Sequence, residues 1–255
     1  MTSRHLEAIR NYELDLVLKV LPGGGRVLEV GAGSGWQARR LAARSFVVEA
    51  IDLADTIYKD GRVWPVREYD GLRIPFPDKS FDIVFTSNVL EHIPHVEAFQ
   101  AELLRVLKPQ GLCVHVLPSA AWRLWTTAAH YLALGKMAAR RLFGRRSGPG
   151  RATGTPTEHA PEQSRLQKLR GLLFPTRHGE HGTGVSEVYL FSRFRWRALF
   201  RRFGWSVRQL KPNRLFYTGY AILGDRLSLA ARHALSYALG SSCHIFVLEP
   251  SADDA

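Results

Sequence analysis

Apolar positions recur at helical spacing over residues 4–20, at Leu6, Ile9, Leu14, Val17 and Leu18. The pattern predicts an amphipathic helix that stops at Pro22 and the Gly23-Gly24-Gly25 run. Short apolar runs then alternate with helical periodicities. Arg26–Gly31 predicts a buried strand, Trp36–Ala43 a helix, and Phe46–Ile51 a second strand ending at Asp52. Trp64–Tyr69 predicts a third strand ending at Asp70, and Phe81–Thr86 a fourth. A helix over His95–Leu107 is stopped by Lys108-Pro109-Gln110-Gly111, and Leu112–Leu117 makes a fifth strand. Strands alternating with helices predict parallel crossover units, and therefore an α/β doubly wound sheet.

After Pro118 the rhythm breaks. Residues 119–143 read as helix, and 144–165 as a Gly/Pro/Arg/Thr-rich loop. The alternation resumes with a helix over Phe191–Phe203 and a strand over Trp205–Leu210. A second insertion over 213–240 precedes a last strand at Cys243–Leu248. The expected whole is one domain over 1–255 with a seven-stranded, mostly parallel sheet. A basic insertion or lid at 119–190 and the second insertion at 213–240 cap its pocket.

Composition narrows this little, but charge adds to it. With 45% hydrophobic and 23% charged residues, the chain of 255 is that of an ordinary globular protein. Glu7, Glu13 and Asp15 are wrong for a secretory leader, and no apolar run is long enough to cross a bilayer. The expected location is cytoplasmic. Cys113 and Cys243 sit in apolar runs and read as buried thiols rather than a disulfide. Residues 1–119 hold 14 basic and 15 acidic side chains, whereas 120–255 hold 21 and 8. The basic excess lies in the second half, which suits an anionic membrane face, a nucleic acid or a phosphorylated substrate; biased composition alone would also give it.

The candidate chemistry begins at Glu29-Val30-Gly31-Ala32-Gly33-Ser34-Gly35, at a strand-to-helix turn. Glycines there let backbone approach a ligand closely. A dinucleotide site needs G-x-G-x-x-G. Here the third glycine falls one residue early and Trp36 follows, which argues against NAD or FAD. The E-x-G-x-G-x-G pattern resembles the first motif of class I S-adenosylmethionine-dependent methyltransferases. Asp52, Asp70-Gly71, the stretch Pro75–Val84, Ser87-Asn88-Val89-Leu90-Glu91-His92 and Leu104–Gly111 follow in that family's order.

The resemblance implies S-adenosylmethionine as cofactor. It implies Asp52 on the ribose hydroxyls and Asp70 near the adenine amine, within a set of Glu29, Gly31, Ala32, Gly33, Gly35, Asp52, Leu53, Asp70, Gly71 and Asn88. As isolated residues, Glu29 would cap a turn and Asp70 would open one. Carboxylates accept from hydroxyl and amino donors, and Glu29 adds negative charge near a cationic cofactor.

His92, after the fourth strand, is a candidate base, or a residue that shapes the pocket. His178 and His181, between glycines, are the other catalytic candidates on a mobile lid loop, a stretch that reads equally as a flexible polar connector. Two histidines three apart without further evident ligands predict no metal site. Over 122–143 a helical wheel gathers Leu124, Trp125, Ala128, Tyr131, Leu132, Ala139, Leu142 and Phe143 on one face. Arg123, His130 and Arg141 lie opposite, with Lys136 and Arg140 flanking. That is the pattern of an interfacial membrane helix, or of a helix packed on the domain. The expected partner is a small or lipid-linked acceptor, such as a hydroxyl of a lipid-linked saccharide, at the cytoplasmic membrane face. The rivals are RNA methylation and a non-catalytic cofactor-binding regulator. Oligomeric state is left open.

Overall fold

A computed structural model describes residues 3–143, 175, 177–219 and 226–251. In chain order the elements are α1 (Ser3–Leu18), β1 (Gly25–Val30), α2 (Trp36–Ala42), β2 (Phe46–Leu53), β3 (Arg67–Tyr69), β4 (Phe81–Ser87), α3 (Val96–Val106) and β5 (Leu107–Pro118). Then come α4 (Ala120–Phe143), α5 (Glu187–Leu190), α6 (Arg193–Arg202), β6 (Trp205–Pro212), α7 (Leu229–Leu239) and β7 (Cys243–Pro250). The seven strands run β3-β2-β1-β4-β5-β7-β6. All neighbours are parallel except β7, which pairs antiparallel with both β5 and β6.

The predicted elements are found, with two shifts. The third strand shortens to Arg67–Tyr69, because Pro65 cannot donate a ladder bond and Trp64 packs on the small Ala32, Ala38 and Ala50 cluster instead. The fifth strand starts early, at Leu107. A register shift between Phe81 and Ile83 accommodates Lys108–Gly111, read from sequence as a stop. A bulge tolerates the proline and glycine that an unbroken ladder would not.

Both faces of the sheet are buried, which is why its strands read as nearly continuous apolar runs. Leu28, Val84, Phe99, Leu103, Trp196, Phe200 and Phe246 fill one side beneath α3 and α6. Val27, Ile83, Phe85, Val114 and Ile245 fill the other, beneath α1 and α4. Glu13 pins α1 there: its carboxylate accepts from Tyr217 Oη and Asn213 Nδ2 (both 2.7 Å) and pairs with Arg10 at 2.8 Å. Cys113 and Cys243 are buried free thiols.

Helix α4 corrects the wheel. Arg123 and His130, expected outward, are buried with Trp122, Thr126 and Ala129. Arg123 can go inward because Glu187, 64 residues on, meets it at 2.9 Å, a partner that no local pattern reveals. The outward stripe is apolar: Leu124, Tyr131 and Leu132 are 52%, 49% and 52% exposed. Trp125 is half-buried, its Nε1 donating to the Leu239 carbonyl at 2.8 Å. The loop expected at 144–165, the side chains of Arg140 to Phe143 and residues 220–225 of the second insertion lie outside the described residues. Among the described residues no helix is long and apolar enough to cross a membrane.

Candidate active site

The strand-to-helix turn after β1 opens a cavity of about 850 Å³ at the carboxyl end of the sheet, within the size of small-molecule sites. Gly31, Gly33 and Gly35 all take left-handed backbone, at φ 75°, 57° and 76°. Their reasons differ. A Cβ on Gly31 would run into Val89, and one on Gly35 would meet Trp64 Cβ at 2.7 Å. Those two glycines are demanded by packing, while Gly33 keeps backbone open to the cavity beside Tyr58.

Asp52, at the end of β2, holds this turn. Its Oδ2 accepts from the Gly33 N–H at 2.7 Å and its Oδ1 from Leu53 N at 2.8 Å. Glu29 lies buried under the turn with no partner for Oε2. Burial, reinforced by the Asp52 charge and opposed by the Ala38 N–H, pushes its carboxyl up to about 8. A buried carboxyl with one unpartnered oxygen behind a glycine cradle fits a cofactor whose positive charge would draw off its proton.

Gly31, Ala32, Gly33 and Asn88 are in the cavity wall. Asn88 also takes left-handed backbone, at φ 55°, and its N–H is held by the Val116 carbonyl at 2.8 Å. Leu53, Asp70 and Gly71 form a separate cluster at the sheet edge, off that wall. There Asp70 Oδ1 accepts from Leu72 and Arg73 N–H groups at 2.8 and 2.9 Å, so the carboxylate builds a turn. Those bonds lower its pKa.

On the opposite wall the histidines gather. His92 closes a short 3₁₀ turn, Leu90–His92. Its ring lies 4.9 Å from that of His178, which lies 4.7 Å from Trp122. Burial lowers the pKa of both. That of His178 falls to about 4, with His92, Arg123 and Arg10 adding to the effect of burial. Both imidazoles are therefore neutral near pH 7, and the same burial and cations that keep His178 neutral make it a weak base.

The loop bearing His178 is held by buried Glu187, whose Oε1 accepts from His178 N at 2.6 Å and Gly179 N at 2.7 Å. Gly179 sits so close to the Glu91 carbonyl that a Cβ would stand 2.6 Å from it. His181 faces away, into a small crevice with Leu90, Glu91 and Arg195.

Sequence reasoning missed several members of this wall. Arg10, Trp122, Tyr217 and Cys243 line the cavity, and Glu91 lies behind it with both carboxylate oxygens unpartnered. The Glu91-His92 pair was legible as a motif. Tyr217 and Cys243 carried no local signal, since long-range sheet pairing brings them in.

Residues 28–115 match the family model described as a methyltransferase domain. Together with the strand order, this makes the segment a class I S-adenosylmethionine-dependent methyltransferase domain. Two curated relatives are similar over this region. The demethylmenaquinone methyltransferase of Tropheryma whipplei is 33% identical over 100 residues, 36% of this chain and 41% of that protein. The ubiquinone/menaquinone biosynthesis C-methyltransferase of Cupriavidus metallidurans is 32% identical over 111 residues, 39% and 46%. The aligned chain thus spans less than half the length of either relative. A methyltransferase solved with the Haloferax volcanii Trm112 activator shares the fold at TM-score 0.57 and 13% identity, over 97% of this chain and 92% of that one. So does an S-adenosylmethionine-dependent methyltransferase from Mesorhizobium loti, at TM-score 0.54 and 17% identity, over 93% and 97%.

Proposed function

We propose that the protein transfers the methyl group of S-adenosylmethionine to a small, lipid-linked ring acceptor of the quinol type. The observation that carries this reading is one cavity bounded by the glycine turn on one side and by His92, His178 and Trp122 on the other. Bound S-adenosylmethionine supplies an electrophilic methyl on a sulfonium. The chain's own residues do the rest. Gly33, Asp52 and Asn88 shape the cofactor side, with Glu29 as countercharge. Trp122 offers an aromatic wall to the acceptor, and a neutral imidazole at His92 or His178 takes the acceptor's proton. His181, turned to the crevice, is left with a supporting role in the loop. Asp70 and Gly71 serve the cofactor side by shaping the edge next to Leu53.

The named relatives act on quinone precursors, which favours a quinol over the saccharide hydroxyl expected from sequence. The outward stripe of α4 supports peripheral docking on an anionic, cytoplasmic membrane face, where such an acceptor resides. Trp122, His178 and Tyr217 line the cavity, which supports a lid role for the described part of 119–190 and a capping role for the described part of 213–240.

The test is transfer of labelled methyl by the full chain to short-chain quinols, glycolipids and RNA in parallel. Label in the quinol is expected. Label in RNA alone, or no transfer despite cofactor binding, would replace this reading by RNA methylation or by a non-catalytic role.

A further inference from the structure

The side chain of Glu91 is fully buried, and neither of its oxygens has a hydrogen-bond partner among the described residues. Two imidazole nitrogens point to one of those oxygens. His92 Nε2 stands 3.9 Å from Glu91 Oε1, and His178 Nε2 stands 4.0 Å from it. A direct hydrogen bond would close to about 2.7–3.2 Å. The separation is instead ion-pair proximity, wider than a direct hydrogen bond. The three ligand atoms lie within 4.8 Å of one another.

Two imidazoles and one carboxylate are the protein ligands of a common kind of catalytic zinc site, which keeps a position open. Bonds of about 2.0–2.2 Å set tetrahedral ligand atoms about 3.4 Å apart, so the His–Glu separations must contract by about half an ångström and the widest pair, at up to 4.8 Å, by about 1.4 Å. Both histidine side chains are partly exposed, at 40% and 37%, and have room to turn.

The segments that carry the ligands are already fixed to each other. Glu180 N–H donates to the Glu91 carbonyl at 2.9 Å, and Gly179 packs on the same carbonyl. The nearby cations are paired, Arg10 with Glu13 at 2.8 Å and Arg123 with Glu187 at 2.9 Å, which offsets but does not remove their charge at His178. Sequence reasoning predicted no metal because it weighed His178 with His181. The fold replaces His181 by the Glu91-His92 pair, 86 residues upstream of His178 at its nearer member.

We propose that Glu91, His92 and His178 bind a divalent zinc-type cation whose open position faces the cavity and takes an oxygen of the methyl acceptor; with the cation in place the two imidazoles are ligands rather than the base, and the acceptor hydroxyl, acidified on the cation, gives its proton to solvent. The role at the acceptor rests on the methyl-transfer reading; cation binding does not. A neutral water among the three would also satisfy the geometry, and it is the alternative that the experiment separates.

The full chain is dialysed against zinc ion, and bound metal is measured with no cofactor present. About one zinc per chain is expected. Affinity should fall at least about tenfold in Glu91→Gln and in His178→Ala, and stay unchanged in His181→Ala, three residues along the same loop. S-adenosylmethionine calorimetry on each variant reports that the fold is intact. Cobalt substitution should give visible d–d absorption that Glu91→Gln alters. A wild-type chain that retains no zinc, or zinc binding indifferent to Glu91→Gln and His178→Ala, overturns the proposal. Zinc held at these residues with no acceptor methylated would leave the site standing and sink the activity instead.

Discussion

Replacing Glu187 by alanine removes a carboxylate that two backbone donors and one buried cation depend on. Its side chain is fully buried, with Oε1 taking the N–H groups of His178 and Gly179 at 2.6 and 2.7 Å and Oε2 meeting Arg123 Nε at 2.9 Å. Each hydrogen bond to a charged group contributes about 1.5–3 kcal/mol. Stripping one partner from a buried ion pair costs about 3–5 kcal/mol. These contributions share one carboxylate and do not add. Their sum would rival the whole stability of a domain, about 5–15 kcal/mol. The molecule has a cheaper escape. The 177–184 loop can lift off locally and let Arg123 reach water, so the loss is capped near the loop's own docking energy. We expect Glu187→Ala to lose about 3 kcal/mol of loop protection, which is roughly a hundredfold faster amide exchange at His178 and Gly179. Glu187→Gln should fall between, since its carbonyl still accepts both N–H groups while its amide opposes Arg123. Affinity for S-adenosylmethionine should change less than about twofold, because the glycine turn is built by β1 and β2 rather than by this loop. Hydrogen exchange read by mass spectrometry decides the matter. Unchanged exchange over 177–184 in Glu187→Ala would refute the reasoning.

Three further outcomes are expected. Asp52→Ala frees the Gly33 N–H and should weaken S-adenosylmethionine binding by about 1–3 kcal/mol, read by calorimetry; unaltered affinity would remove Asp52 from the site. In the cofactor-free chain, Glu29 keeps its proton up to about pH 8 when folded but releases it near its ordinary 4.5 when unfolded, so its contribution to stability falls as pH rises through that window. Glu29→Gln should flatten that slope in denaturant titrations, and an identical slope in both proteins would contradict the burial argument. A Leu124→Ser, Leu132→Ser variant removes two half-exposed leucines of α4 and should reduce sedimentation with anionic vesicles at high salt. Salt screens the cation contribution of about 1 kcal/mol per Lys or Arg but not the apolar one; equal sedimentation of variant and wild type would exclude the stripe from docking.

The elements and the cofactor turn were legible because they rest on near neighbours in sequence. Short continuous apolar runs buried on both faces, glycines at a strand end and an acid closing β2 are decided within a few residues. Even there, the packing of Gly31 on Val89 and of Gly35 on Trp64 was not legible.

What only the tertiary structure decided are pairings across long stretches of chain. The sheet order brings Glu91 and His92 against His178, and sets Glu13 against Asn213 and Tyr217. It also inverts the reading of α4. A helical wheel sorts residues by type, and an arginine counts as outward. A buried carboxylate supplied by a distant segment reverses that sorting by offsetting the desolvation of the charge, and whether one is supplied depends on where the crossovers carry the chain.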